Sequence, residues 1–145
     1  MSTTVSNVLA MKSAKVITIG PGDGIATAVA MLADKNIGAL IVVDDAGSLI
    51  GILSERDIVR CAAADPGVLD LRVSDVMTSE VVVGVPNDDL MSVAHTMTEG
   101  RFRHLPIVRE GELIGVISIG DVLKAQRDAF RGQIDTLETQ ILAGE

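Results

Sequence analysis

The pattern of apolar and polar positions in the first half of the chain predicts three short strands and two helices. Runs of β-branched residues and continuous apolar runs indicate strands. Apolar residues three and four positions apart indicate an amphipathic helix, and Gly and Pro residues mark the breaks between elements. The predicted order is strand, helix, strand, strand, helix, at residues 16–19, 25–35, 39–43, 49–53 and 54–64.

One short segment of this pattern occurs twice. Residues 51–59 and 115–123 both read Gly, two apolar residues, Ser, two variable residues, Asp and then apolar residues, 64 positions apart. Upstream of a turn the offset becomes 65, and a change of length at a surface turn is readily tolerated. Similarity at a fixed offset indicates two like halves with the same Ser and Asp at equivalent places.

The second half therefore repeats the order of elements. Its predicted strands and helices lie at residues 81–85, 90–99, 104–108, 113–117 and from 118 onward. The segments that open the two halves also correspond, since residues 5–9 and 73–77 share one pattern of apolar and polar positions.

In both copies of the repeated segment, a predicted helix begins directly after a strand. The first amides of a helix have no backbone partner and the helix dipole is positive there, which favours an anion. Ser54 and Ser118 can donate to a phosphate, and Asp57 and Asp121 can accept both hydroxyls of a ribose. The alternative is structural, because Ser followed by an acid three residues later is also a helix-capping pattern.

Composition narrows the classes of partner. A formal net charge of −8 at pH 7 and an aromatic content of 1% disfavour polyanion binding and base stacking, so no nucleic-acid partner is expected. No apolar run approaches the roughly 20 residues that span a bilayer, and the N-terminus lacks a signal-peptide pattern. A cytoplasmic protein with no membrane partner is expected, and a hydrophobic content of 48% without Trp or Tyr predicts an aliphatic core.

The residues that carry most catalytic chemistry are scarce. Two His and one Cys do not make up the usual zinc ligand sets, so no metal site is expected. No Ser-His-Asp arrangement, nucleophile elbow or dinucleotide-binding glycine motif occurs. Cys61 is predicted to pack as a small apolar residue. We therefore expect no catalytic residue and no enzymatic activity.

With these features, the chain resembles a tandem pair of cystathionine-β-synthase (CBS) domains, the Bateman module. Each half matches that family's segment Gly-h-h-(Ser or Thr)-x-x-Asp-h, where h is apolar, and Leu105-Pro106-Ile107-Val108 is typical of it. Val73 to Thr78 is similar to the family's usual start of a repeat. The resemblance covers roughly residues 3 to 126.

The resemblance implies an α/β (α+β) fold with two β-α-β-β-α repeats packed about a pseudo-twofold axis. The first repeat would cover residues 1–66, the second residues 67–127, and a C-terminal helical extension residues 128–145. It also implies two clefts for adenosine ligands: AMP, ADP or ATP foremost, and NAD(H) or S-adenosylmethionine besides. Asp57 and Asp121 would hold ribose, and Ser54 and Ser118 would lie near phosphate.

The implied function is an adenosine-nucleotide-binding regulatory module, sensing energy or redox state and acting in trans on an unknown protein target. The sequence leaves open which adenosine ligand binds, whether both clefts fill, and which target is regulated. The alternative is a structural dimerisation module with vestigial clefts.

The two clefts implied by the resemblance differ in charge. Arg101, Arg103 and His104 correspond to the neutral residues Asn36, Gly38 and Ala39. In related modules this segment reaches the phosphates of a nucleotide whose ribose is held by the other repeat, so the Asp57 cleft is expected to be rich in phosphate contacts. Arg56 would add to it. The cleft of Ser118 and Asp121 would face Gly38 and Ala39, so it is expected to be weaker or to suit a less charged ligand. Gly38 and Ala39 would leave room for adenine, and Thr18 is a candidate contact to the purine. The alternatives are that the arginines are solvated surface charges and that His104 caps a carbonyl.

An apolar stripe continues past the repeat. Its spacings of three, four and seven predict a helix of about 25 residues from Ser118. Packing against a second copy, as a homodimer, or against a partner protein is expected; the alternative is that the helix folds back on its own module. The stripe consists of Leu123, Phe130, Ile134, Leu137 and Ile141.

Overall fold

The computed structural model describes residues 3–12 and 15–129. The order of helices and strands in the first half follows the predicted one, with additional short helices ahead of each half. The elements are α1 (Val5–Ala10), β1 (Thr18–Ile19), α2 (Ile25–Lys35), β2 (Ala39–Val43), β3 (Leu49–Ser54), α3 (Glu55–Ala64), a 3-10 turn (Val68–Asp70), α4 (Val73–Val76), α5 (Leu90–Gly100), β4 (His104–Arg109) and β5 (Glu112–Ser118), followed by helix α6 over the described residues 119–129.

The chain divides into two compact units whose members alternate along the sequence. Unit 1 contains Met1–Ser13, Val85–Leu105 and Val116–Glu145, and unit 2 contains Ala14–Gly84 and Pro106–Gly115. The leading helix α1 therefore belongs with α5, and α4 belongs with α2. The boundaries at 1–66, 67–127 and 128–145 describe the sequence repeat and stay a prediction.

Unit 2 is built on a three-stranded sheet. β1 pairs with β2 in parallel, with Thr18 opposite Ile41, and β2 pairs with β3 in antiparallel fashion, with Ala39 opposite Ser54. The three central residues of β2 are buried, which confirms the prediction of a strand covered on both faces. The core of the unit is aliphatic, as the composition requires, and consists of Ile19, Ile25, Ala28, Leu32, Leu40, Val42, Leu53, Val68 and Val73.

The strand predicted at 81–85 is wrong: only Gly84 forms a bridge, in parallel with Ile107. The amide of Gly84 donates to the carbonyl of Pro106 at 2.9 Å, and the amide of Val108 donates to the carbonyl of Gly84 at 2.9 Å. To extend this bridge toward residue 82, the parallel ladder would need a hydrogen bond donated by the backbone amide of residue 106. Residue 106 is a proline, which has no amide N–H. In the first half the equivalent residue is Ile41, and its amide donates to the carbonyl of Ile17 at 3.2 Å.

The leading helix α1 is tied to the start of α5 within unit 1. The amide of Val5 donates to the carbonyl of Asp88 at 3.0 Å, and the amide of Leu90 donates to the carbonyl of Thr3 at 2.9 Å. Both bonds satisfy amides at a helix start that have no partner within their own helix. The pattern of residues 5–9 therefore codes for a helix that docks on another helix start.

In unit 2, α4 makes the same pair of bonds to the start of α2. The amide of Val73 donates to the carbonyl of Asp23 at 2.8 Å, and the amide of Ile25 donates to the carbonyl of Leu71 at 2.9 Å. The correspondence between residues 5–9 and 73–77 thus reappears as one structural joint made twice. α1 opens the first half of the sequence and docks on α5 of the second half, whereas α4 opens the second half and docks on α2 of the first half.

Most of the apolar stripe predicted at the C-terminus lies outside the described residues. Leu123 on α6 is 57% exposed, whereas Phe130, Ile134, Leu137 and Ile141 lie outside the described residues, so the dimerisation stripe stays a prediction. Cys61 is half-buried and packs against the core of unit 2, which agrees with its predicted apolar role. Within residues 3–12 and 15–129, none of the helices is long and apolar enough to cross a bilayer.

The first residue of the repeated segment, Gly51, has a packing role. It is buried on β3, and a Cβ atom added there would lie 2.6 Å from the sulfur of Met77 and 3.1 Å from the carbonyl oxygen of Thr78. The next residue, Ile52, forms a bridge with Thr78. Gly51 therefore lets the backbone around residues 77–78 approach the strand.

We expect Gly51→Ala to lower the free energy of unfolding by about 1–3 kcal/mol, because the methyl group overpacks this contact. Urea denaturation of the full chain measures it. Gly22→Ala is the matched control, since nothing lies within 4 Å of a Cβ at that position, and its effect should stay within about 0.5 kcal/mol. Equal losses for the two variants would contradict the proposed role of Gly51.

Candidate functional site

The repeated Ser and Asp lie where a strand turns directly into a helix. In unit 2, Ser54 ends β3 and caps α3. The amide of Asp57 donates to the Ser54 hydroxyl at 3.1 Å, and the amide of Ser54 donates to Oδ2 of Asp57 at 2.9 Å. This reciprocal pair is a capping box, which satisfies two amides at the helix start.

Unit 1 contains the same arrangement between β5 and α6. The amide of Asp121 donates to the Ser118 hydroxyl at 3.1 Å, and the amide of Ser118 donates to Oδ2 of Asp121 at 2.8 Å. Both copies of the motif therefore cap a helix, and the ligand contacts expected of the same residues stay a prediction. Both Asp side chains are half-buried, and a hydroxyl that accepts one hydrogen bond can still donate its own proton to a ligand.

Each capping box has a backbone neighbour from the same unit. The amide of Glu55 donates to the carbonyl of Gly38 at 2.9 Å, and the amide of Ile119 donates to the carbonyl of Arg103 at 2.8 Å. The residue before β2 thus lies beside the first turn of α3, and the residue before β4 lies beside the first turn of α6. Gly38 and Arg103 occupy equivalent places, as the offset of 65 predicts.

Unit 2 brings together most of the small and polar residues predicted for binding. Gly38 and Ala39 lie beside Ser54, and Asp57 is held by the capping box. Arg56 lies in the first turn of α3 and is half-buried. Thr18 is exposed on β1 and pairs with Ile41, two residues along β2 from Ala39.

Unit 1 brings together the charged candidates. The carbonyl of Arg103 accepts the amide of Ile119, the residue after Ser118, and His104 is the next residue and begins β4. Arg101 ends α5 in the left-handed conformation, with φ of 56°, and its side chain is exposed, as is that of Arg103. The prediction that these residues serve the phosphates of a ligand held at Asp57, in unit 2, stays a prediction.

The structure adds a residue that sequence reasoning missed, Lys12. Its ammonium Nζ lies 2.8 Å from Oδ2 of Asp121 and 2.8 Å from the carbonyl oxygen of Val116. The side chains of Lys12 and Asp121 are 32% and 22% exposed. Lys12 follows α1 and has no counterpart in the repeated motif, so no periodic signal in the sequence points to it.

The ion pair changes the acidity of Asp121. Burial raises the pKa of this carboxyl, but the hydrogen bond and charge of Lys12, with the hydrogen bonds from Ser118, outweigh burial and hold the pKa below its ordinary value. Asp121 is therefore a carboxylate at neutral pH that already has a cationic partner.

In unit 2 the equivalent neighbour is Thr78. Its amide donates to the carbonyl of Ile52 at 2.8 Å, and its hydroxyl lies 3.4 Å from Oδ1 of Asp57, a long hydrogen bond. Asp57 thus has a neutral neighbour where Asp121 has a charged one. Over the two stretches that the structure describes, no group of three or more His, Cys, Asp or Glu side chains is placed to hold a metal ion.

A family model for the CBS domain matches the chain twice, at residues 5–64 and 73–128. The chain is similar to the CBS domain-containing protein YhcV of Bacillus subtilis, with 34% identity over 118 residues covering 81% of this chain and 84% of the relative. It is also 37% identical over 109 residues, or 75% of this chain, to an uncharacterized protein of Methanocaldococcus jannaschii, but spans only 39% of that relative's length.

Solved structures show the same fold. The CBS-domain containing protein ATU1752 from Agrobacterium tumefaciens is 41% identical with a TM-score of 0.84, covering 87% of this chain and 95% of that one. The CBS domain pair of protein MJ0100, in complex with 5-methylthioadenosine and S-adenosyl-L-methionine, is 25% identical with a TM-score of 0.77, covering 92% and 99%. CBSX2, in complex with AMP, is 27% identical with a TM-score of 0.67, covering 79% and 89%.

The lowered pKa of Asp121 predicts a dependence of stability on pH. Its stabilising effect is fully present above the unfolded-state pKa and is lost as pH falls through the lower folded-state pKa. We expect Asp121→Asn to lower the free energy of unfolding at pH 7 by about 0.5–1 kcal/mol more than at acidic pH, the range for a partly exposed ion pair.

Urea denaturation at pH 7 and at acidic pH measures this difference. Asp45→Asn, which removes a carboxylate from an exposed turn, corrects for the change in net charge. A difference that is the same at both pH values would contradict the ion-pair contribution.

Proposed function

Because this chain belongs to the CBS-domain family, we propose that it is an adenosine-nucleotide-binding regulatory module that acts on another protein and catalyses no reaction itself. The observation that carries this proposal is the pair of matching capping boxes, each of which fixes a half-buried carboxylate at the end of a strand. A carboxylate held in this way is suited to the two neighbouring hydroxyls of a ribose.

The chemistry of each box supports ribose binding. In unit 2, one oxygen of Asp57 is committed to the amide of Ser54, while the other has a hydroxyl of Thr78 at 3.4 Å. A ribose hydroxyl at the usual hydrogen-bond distance binds this oxygen more strongly than the Thr78 hydroxyl does at 3.4 Å, so it can replace Thr78. Hydrogen bonds to a charged group contribute about 1.5–3 kcal/mol each, so a diol on one carboxylate is a substantial anchor.

The neighbours of Asp57 suit an adenine ring. Gly38 and Ala39 carry little or no side chain, and they lie beside Ser54 at the start of β2. Thr18 is exposed on the neighbouring strand. We assign Gly38 and Ala39 to the face of the base and Thr18 to a polar contact with the purine.

The cationic residues suit a phosphate. Arg56 in unit 2, and Arg101, Arg103 and His104 in unit 1, are the candidates, since guanidinium groups bind phosphate through charge-assisted hydrogen bonds. Ser54 and Ser118 retain a hydroxyl proton for the same purpose. We place AMP, ADP and ATP first among the ligands, with NAD(H) and S-adenosylmethionine as further adenosine compounds.

The solved neighbours support the choice of ligand class. CBSX2 holds AMP, and the MJ0100 pair holds S-adenosyl-L-methionine and 5-methylthioadenosine. These ligands share adenosine and differ in charge at the 5′ position. The common part suits the carboxylate, and an anionic 5′ group such as the phosphate of AMP suits the arginines, in which the two halves of this chain differ.

One observation favours a second candidate function, a structural dimerisation module. In each copy of the motif, the Ser and the Asp already satisfy each other's backbone amides. The motif therefore has a structural role without a ligand. This module would associate as a homodimer through the apolar stripe that the sequence predicts at the C-terminus, and its nucleotide binding would be absent or without consequence.

The first test is calorimetric titration of the full chain with AMP, comparing wild type with Asp57→Asn/Asp121→Asn. Asn preserves an oxygen that can accept from the Ser amide, but it removes the charge. We expect the affinity to fall at least about tenfold. Asp45→Asn, in an exposed turn, is the control and should bind as wild type does.

The outcomes separate the two candidates. Undiminished binding by the double variant would exclude the ribose role of the carboxylates. Absence of binding by wild type to AMP, ADP, ATP, NAD and S-adenosylmethionine alike would favour the structural module.

The phosphate role of Arg103 has its own test, a comparison of AMP with adenosine. Arg103→Ala should weaken AMP about tenfold or more and leave adenosine unchanged, since only AMP carries the phosphate. Arg109→Ala removes another exposed arginine, at the end of β4, and serves as the control. An equal loss for AMP and adenosine would show that Arg103 acts on the fold and not on the phosphate.

A further inference from the structure

The two motif carboxylates differ in what already occupies them. Oδ2 of Asp121 accepts two hydrogen bonds, from the amide of Ser118 and from the ammonium of Lys12, both at 2.8 Å. Oδ2 of Asp57 accepts the amide of Ser54, and its neighbour Thr78 is a neutral hydroxyl at 3.4 Å. The capping boxes match, so the difference is confined to the second partner.

Lys12 also donates a hydrogen bond to a backbone carbonyl next to the carboxylate. Its ammonium lies 2.8 Å from the carbonyl of Val116, and the equivalent carbonyl in unit 2, that of Ile52, accepts from the amide of Thr78 at 2.8 Å. In unit 1 one side chain therefore supplies both contacts. A Lys ammonium has three donors on a flexible four-carbon stem, so it can satisfy both acceptors and can also leave them without moving the backbone.

We propose that Lys12 competes with an adenosine ligand for the carboxylate of Asp121. The ligand must displace the Lys12 ammonium from this carboxylate before its ribose can bind. This inference rests on the proposed function, since it concerns the carboxylate assigned to ribose. It adds a residue that lowers the affinity of one site selectively: Lys12 acts on Asp121, whereas in the described part of the chain the corresponding neighbour of Asp57 is the neutral hydroxyl of Thr78. At equal ligand concentration, the Asp57 site fills first.

Partial exposure keeps the competitor removable. The side chains of Lys12 and Asp121 are 32% and 22% exposed, so solvent screens the pair and its strength stays near that of a surface ion pair. A fully buried pair would be much harder to break. The expected effect of removing Lys12 is therefore a gain of about two- to tenfold in affinity at the Asp121 site.

The test uses the full chain with Asp57→Asn, so that the Asp121 site dominates binding, and compares it with Asp57→Asn/Lys12→Met. Adenosine is the probe, because it has a ribose but no phosphate that the lysine charge would attract. Titration calorimetry or NMR titration should show the two- to tenfold gain. Lys12→Arg keeps the charge and should bind like the parent, and Lys124→Met removes an exposed lysine of α6 as the matched control.

A second measurement follows the ion pair without ligand. Carboxyl-carbon NMR of the ligand-free protein should show a higher pKa for Asp121 in Lys12→Met than in wild type. An unchanged pKa would show that Lys12 does not hold the carboxylate in solution, and would overturn the inference.

The results separate this inference from the proposed function. If adenosine affinity is unchanged or falls in Lys12→Met while the parent binds, the competitor role is overturned and the proposed function stands. If neither parent nor variant binds adenosine or AMP, the proposed function fails and the competitor role fails with it. Binding that appears only after Lys12 is removed would support the inference in its strongest form.

Discussion

The reciprocal hydrogen bonds between Ser and Asp at each strand-to-helix turn are the interaction on which the candidate sites depend. A helix start leaves amides without partners, and a Ser and an Asp three residues apart satisfy two of them. The same bonds fix the carboxylate in a half-buried position at the end of a strand. Structural capping is therefore compatible with the ligand binding that we propose for the same pair of residues.

The next constraint is the close packing around the turn. Gly51 is buried where Met77 and Thr78 approach the strand, and its missing side chain makes room for them. That approach brings the Thr78 hydroxyl near Asp57. The Gly of the repeated motif thus serves the carboxylate indirectly, by letting the following segment lie against β3.

The halves are alike in backbone and different in charge. Pro106 replaces Ile41 and reduces a parallel strand pair to the single bridge at Gly84, because proline has no amide proton to continue the ladder. Lys12 supplies to Asp121 a charged partner where Asp57 has only Thr78. Such differences leave the fold of each unit intact, while they change the groups that a ligand would meet.

The sequence by itself determined most of the elements and the two capping pairs. Helices, strands and capping pairs arise from residues that are one to four positions apart, so periodicity and the repeated Gly, Ser and Asp predicted them. The exceptions are the strand at 81–85, which Pro106 prevents, and the short helices α1 and α4. Tertiary structure decided which leading helix joins which unit, since α1 docks on α5 and α4 on α2. It also decided that Lys12 meets Asp121, 109 positions away. Contacts over such distances follow no local period, because they depend on how whole elements pack.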